Sequence, residues 1–170
     1  MDRSRPASAT GVVFALALAT STEPAALATE ASIEIHRVRD EIVVDGRLDE
    51  SAWTEAATVD TWYETRPGDN VEPKVKSRGY LAYDGRFLYA GFEFADSSPK
   101  SIKAPLANRD NVPSYTDYGG LIVDANNDGR TAQMFLANAR GIQYDALNSD
   151  ASGEDSSPDF FWDSAARISE

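Results

Sequence analysis

The sequence has no cysteine and a single histidine, His36, among its 170 residues. Without cysteine there is no disulfide framework and no lipid-attachment thiol, so a fold in an oxidising compartment must rest on its packed core. One histidine excludes a His cluster for zinc, and His36 reads as a strand-surface residue. A P-loop, a GxGxxG following a strand and a GxSxG elbow are all missing. Helical periodicity is nearly absent too. The one helix-like piece is LDESAWTEAA (residues 48–57), where Asp49 is placed to cap the first turn and Glu50 sits at the positive end of the helix dipole.

Positive charge is also in short supply. Sixteen Lys and Arg stand against 28 Asp and Glu, a net charge of -12. A field of that sign repels phosphate backbones and anionic headgroups, which argues against nucleic acid as a partner and leaves neutral polar ligands and cations open. The acids are scattered over loops, as on a solvated surface. Long apolar runs are confined to the first 28 residues, where MDRSRPASAT carries two Arg and GVVFALALA follows. That run is about half the ~20 residues needed to span a bilayer. With Ala26-Leu27-Ala28 behind it, it predicts a signal peptide over residues 1–28, cleaved before Thr29. The expected location is therefore the periplasm, the outer-membrane surface or the medium, with membrane contact only indirect.

Residues 29–170 have the size of one domain. IEIHRV (33–38) and IVVDG (42–46) read as short strands. KVKSRGYLAYDGRFLYAGFEF alternates on both sides of Asp84-Gly85 and predicts a hairpin. Its parity collects Val75, Leu81, Tyr83, Leu88, Ala90, Phe92 and Phe94 on an expected core face. Lys74, Lys76, Arg78, Tyr80, Phe87, Tyr89 and Glu93 fall on the other, to be partly covered by a loop. GGLIVD, the polar tip ANNDGR and TAQMFLANA form a second hairpin, and IQYDA returns as a third run. Two long polar loops, SSPKSIKAPLANRDNVPSYTDY and NSDASGEDSSPD, interrupt the pattern, and FFWDSAARI reads as a last strand. Short strands with almost no helix predict an all-β antiparallel sandwich with one short helical turn. A sandwich ending on that strand leaves an edge open, so the chain is expected to be the front part of something longer, missing its last strand or strands.

Within this scaffold, DANNDG (124–129) resembles the opening of a calcium loop, with Asp124, Asn126 and Asp128 as the oxygen ligands of a structural calcium option. Phe135 stands where that motif requires a bidentate Glu, so a polar hairpin tip is the leading reading. No carboxylate pair stands out as an acid and base for glycoside hydrolysis. Aromatic residues remain: Trp62 and Tyr63, Tyr115 and Tyr118, and Phe160, Phe161 and Trp162. Flat rings on rigid strands beside amides and acids suit sugar faces, though such rings are core more often than platform.

VDGRLDESAW, KVKSRGYLAYDGRFLYAGFEFAD and DYGGLIVDANNDGRTAQMFLANARGIQYD resemble, in that order and spacing, the family-nine carbohydrate-binding modules. They are most similar to the module at the N-terminus of exported bacterial proteins that continue into an outer-membrane-type β-barrel. The resemblance spans about Ile33 to Glu170. It implies a jelly-roll-like sandwich that binds polysaccharide or oligosaccharide without catalysing, in proteins linked to carbohydrate catabolism and glycoside hydrolases, with cations bound structurally. The stacking tryptophan of typical members falls near Ser114, beside Tyr115; their basic residue falls near Leu136; their second tryptophan lies beyond Glu170. The expected sugar site comprises Tyr115, Tyr118 and Trp162 for stacking, with Asp117, Asn138 and Arg140 as polar partners. One alternative is a structural module docking a downstream barrel, its sugar site degenerate. A remote one is a haem-binding sandwich, similar ones using Met and Lys or His ligands, with Met134 and Lys103 available here.

Overall fold

β-Branched and aromatic residues alternating with polar ones make strands, and the second half of the chain is dominated by them. A computed structural model describes residues 32–169; the expected signal peptide lies outside the described residues. These form β1 (His36–Arg37), β2 (Ala57–Val59), β3 (Ser77–Tyr83), β4 (Leu88–Phe94), β5 (Tyr118–Val123), β6 (Thr131–Asn138), β7 (Gln143–Ser149) and β8 (Gly153–Asp155), with 3-10 turns at Ser51–Glu55 and Pro99–Ser101. The architecture is an all-β sandwich of two sheets.

In the first sheet β3 pairs along its whole length with β4, from Ser77↔Phe94 to Tyr83↔Leu88. Its other edge is shared by β2, antiparallel, and the two-residue β1, parallel. The second sheet is the expected meander, β5-β6-β7, extended by β8. The 84–87 turn is closed by the Asp84 side chain, whose Oδ1 accepts the amides of Arg86 at 2.6 Å and Phe87 at 2.8 Å. Those two N–H groups hold the Asp84 carboxyl below its ordinary range.

Several expected elements differ. IVVDG is unpaired, because Val43 gives its amide to Glu50 Oε1 at 3.0 Å instead of to a strand. FFWDSAARI is not a strand: it runs extended but is tied by side-chain contacts, as with Gln143 Nε2 donating to the Trp162 carbonyl at 2.8 Å. β8 lies inside a stretch read as loop. Asp49 does not cap the 3-10 turn; Glu50 occupies that position without a side-chain cap bond, and Asp49 lies 3.8 Å from Arg47.

The largest correction concerns the core. Val38, Ile42, Ala52, Trp53 and Ala82 form the tightly buried cluster, with Leu48, Ala56, Tyr80 and Tyr89 packed on it. It lies on the aromatic and basic face of the β3–β4 hairpin, which the 3-10 turn covers. Trp53 packs edge-on to Tyr80 at 6.2 Å and lids this face. The hairpin's other face, expected as core, lines a trough of about 2810 Å³ that it shares with the second sheet and that also reaches Arg78, Tyr89, Glu93 and residues 42–48. There Leu88 is 52% and Phe94 53% exposed.

Candidate functional site

Strand parity divides the second sheet. Leu121, Val123, Gln133, Phe135 and Ala137 share one face and line the trough, and Tyr118, Gly120, Leu136, Asn138 and Tyr144 share the other by the registers of β5, β6 and β7, although Tyr118, Gly120 and Asn138 also border the trough. The expected polar site residues are spent on holding this sheet to the loop before it. Asn138, 1% exposed, accepts the amides of Arg140 and Ile142 on Oδ1 at 2.9 and 3.0 Å and donates Nδ2 to the Pro105 carbonyl at 3.2 Å. This is the bonding of a tight turn, completed by Gly141 at φ +74. Arg140 Nε donates to the Ala104 carbonyl at 2.7 Å. Asp117 Oδ2 accepts the Lys103 amide at 2.7 Å, and the Asp117 amide returns to the Lys103 carbonyl at 2.9 Å. Together these bonds fasten residues 103–105 to the sheet.

The aromatic members separate. Tyr115 projects from the loop, 61% exposed. Tyr118 is half-buried and meets the ring of Tyr144 at 6.0 Å with a 41° tilt. Tyr144 donates its hydroxyl to Glu154 Oε1. That bond, with burial and the carboxylate charge, pushes the Tyr144 phenol up to about 12. Burial, followed by the charges of Asp110 and Glu154, raises Tyr118 in the same direction. Tyr144 was missed in the sequence; alternation places it on Tyr118's face only once the β6–β7 register is known.

Trp162 belongs to a different constellation, on the trough side. Its ring packs edge-on to Phe135 at 5.6 Å, beside Phe160. Its indole N–H donates to Asp145 Oδ1 at 3.1 Å. Asp145 is fully buried, and it gathers Arg109 Nη2 at 2.6 Å and Nε at 3.2 Å on Oδ1, and the Phe160 amide at 2.8 Å on Oδ2. Burial pushes this carboxyl up, but the Phe160 amide, the Trp162 indole and the Arg109 cation outweigh it, and the net direction is down. Arg109 also meets Asp110 at 3.3 Å and Asp159 at 2.8 Å. Asp110, Asp145 and Asp159 present oxygens close enough to share an ion, but the guanidinium already stands among them. The unit is a structural tie: it joins the 109–110 loop, β7 and the 159–162 segment.

At the β5–β6 tip, Asp124 accepts the amides of Asn126 and Gly129, and Asp128 those of Arg130 and Thr131. Asn127 and Gly129 take positive φ. The carboxylates of the calcium option are thus engaged by their own turn. Asn126 is exposed. Met134 lies on the Tyr118 face, its Sδ 4.0 Å from Asn148 Nδ2, and Lys103 is in the loop described above. Ser114 is exposed, and Leu136 is half-buried opposite Gly120 and Tyr144.

No family model matches the chain, and neither the curated proteins nor the solved structures include a significant match to it.

Proposed function

We propose that the chain is a non-catalytic carbohydrate-binding module of an exported protein that takes part in polysaccharide breakdown. The observation that carries the reading is the tilted pair Tyr118–Tyr144, held on a rigid sheet face with the exposed Tyr115 on the adjoining loop. Sugar rings stack their C–H faces on such surfaces, and the Glu154 carboxylate, which holds the Tyr144 hydroxyl, has a second oxygen to accept from a sugar hydroxyl. The resemblance to family-nine modules supports the same reading. The single-face arrangement also removes Trp162 from the proposed site, since its indole N–H and ring are engaged with Asp145 and Phe135.

Affinity electrophoresis in gels cast with soluble neutral glucans, xylans and mannans tests this. Retardation by at least one of them, lost in Tyr118→Ala with the fold intact by circular dichroism, is the expected result. Equal mobility of the folded chain in every gel sinks the proposal.

A module that docks the following barrel domain is the second reading. It is favoured by the concentration of exposed apolar side chains along the trough, Val75, Leu88, Phe94, Phe161 and Ile168 among them.

A further inference from the structure

We propose that the outer edge of β4 pairs with the same edge of a second copy of this chain, antiparallel about a twofold axis at Gly91. Among the described residues, β4 pairs on one side only, with β3. The direction of its free groups follows from the two ends of that ladder. Ala95 donates to the Lys76 carbonyl at 2.9 Å, and Asp84 to the Phe87 carbonyl at 3.0 Å. Hydrogen-bonded pairs alternate along an antiparallel ladder. Tyr89, Gly91 and Glu93 therefore turn their backbone groups toward β3, and Leu88, Ala90, Phe92 and Phe94 turn theirs outward. A seven-residue ladder with free donors and acceptors is a template that recognises another strand, which neither a lipid nor a glycan matches.

The side chains select which strand. With Gly91 opposite its copy, Ala90 faces Phe92 and Leu88 faces Phe94, by reading the strand against itself. Leu88 and Phe94 are the two large apolar members of β4 that stand exposed, at 52% and 53%, and this register covers each with the other, twice. Extending it two residues sets Arg86 opposite Asp96 at both ends, and both line the trough. Asp96 gives one oxygen to the Ser98 amide at 2.5 Å and keeps the other for a partner. Glycine on the axis suits the non-hydrogen-bonded position, where opposed Cα atoms come closest, about 4.5 Å. Each copy carries a net charge of -12, so the long-range field opposes association, and it is the short-range pairing of Arg86 with Asp96 that reverses sign locally.

The absence of cysteine allows a register test on the full chain. In the proposed pairing, residue 88 faces residue 94 of the copy, whereas the two residues 88 lie six residues apart along the ladder, roughly 20 Å. Disulfides require Cα atoms within about 7 Å. Mild oxidation of Leu88→Cys/Phe94→Cys is expected to give a covalent dimer on a non-reducing gel, and either single variant none. The unmodified chain should sediment as a dimer at physiological ionic strength, and Ala90→Lys, which places two like charges beside the axis, as a monomer of unchanged circular dichroism. A monomeric unmodified chain overturns the proposal, as do single variants that cross-link as well as the double, or an Ala90→Lys chain that remains a dimer. The sedimentation comparison decides even where the cysteine variants do not fold.

Discussion

Trp162 donates its indole N–H to the buried carboxylate of Asp145 at 3.1 Å. The Phe160 amide and the Arg109 guanidinium converge on the same two oxygens. One acid therefore satisfies donors from two segments, the 109–110 loop and the 159–162 stretch, that no strand ladder joins to its own strand.

Replacing Asp145 with Ala leaves the Phe160 amide and the Trp162 indole without their acceptor, while Arg109 keeps Asp110 and Asp159. The expected loss of stability is about 3 kcal/mol, between that of a charge-assisted hydrogen bond and that of a broken buried pair. Urea unfolding followed by tryptophan fluorescence measures it. A loss under about 0.5 kcal/mol, the level of an ordinary surface change, contradicts the role assigned to this acid.

The same carboxyl has an acid signature. Its pKa is lower folded than unfolded, so its contribution is present above the unfolded value of about 3.9 and is lost as pH falls through the lower folded value. The stability gap between the natural chain and Asp145→Asn should be constant near neutrality and shrink below pH ~4. Denaturation midpoints at neutral and acid pH report it, and a gap that widens on acidification is the contrary result.

At the alkaline end the sign reverses. Tyr144 is pushed up to about 12, above the ordinary phenol value of about 10. Its contribution is complete below pH ~10 and is lost as pH rises toward the folded value. Ultraviolet titration should show Tyr144 ionising last of the seven tyrosines, behind Tyr80, Tyr89 and Tyr118, which are also raised, and Glu154→Gln should bring it forward. Seven tyrosines ionising together in the natural chain contradict the bond to Glu154.

Two glycines separate packing from backbone strain. A Cβ on Gly120 would lie 2.0 Å from the Phe135 carbonyl oxygen and 2.9 Å from the Leu136 Cα, both backbone. Gly120→Ala must push β5 off β6 and is expected to cost about 3 kcal/mol. Gly129, at φ +64 with nothing within 4 Å, meets only the left-handed penalty, so Gly129→Ala should cost about 1 kcal/mol. Thermal denaturation of the two variants ranks them, and equal losses run against the crowding at Gly120.

The sandwich class, the two hairpins and their parity were legible because alternation and turn residues are local signals: Asp84-Gly85 and the 124–129 tip announce the reversals. Which face of the β3–β4 hairpin is tightly packed was not, because the side chain that covers it, Trp53, comes from a stretch some thirty residues upstream of the turn. Asp145 escaped notice for a related reason. An acid in the alternating run IQYDA reads as solvent-facing, and its partners lie 36 residues before it and 15 to 17 after. Asn138 and Arg140 carry contacts that their place at the end of a strand did not announce: Asn138 fastens a turn and Arg140 a loop.

The Glu50 carboxylate binds the Val43 amide with one oxygen and the Trp53 indole N–H, at 2.9 Å, with the other. The contacts span seven and three residues, and loops of that size close within about 100 ns, whereas a hairpin takes microseconds. Residues 43–53 therefore need no sheet in order to meet. The contacts that turn the Trp53 indole toward the β3–β4 hairpin are thus all local to residues 43–53, and only the face they present is long-range.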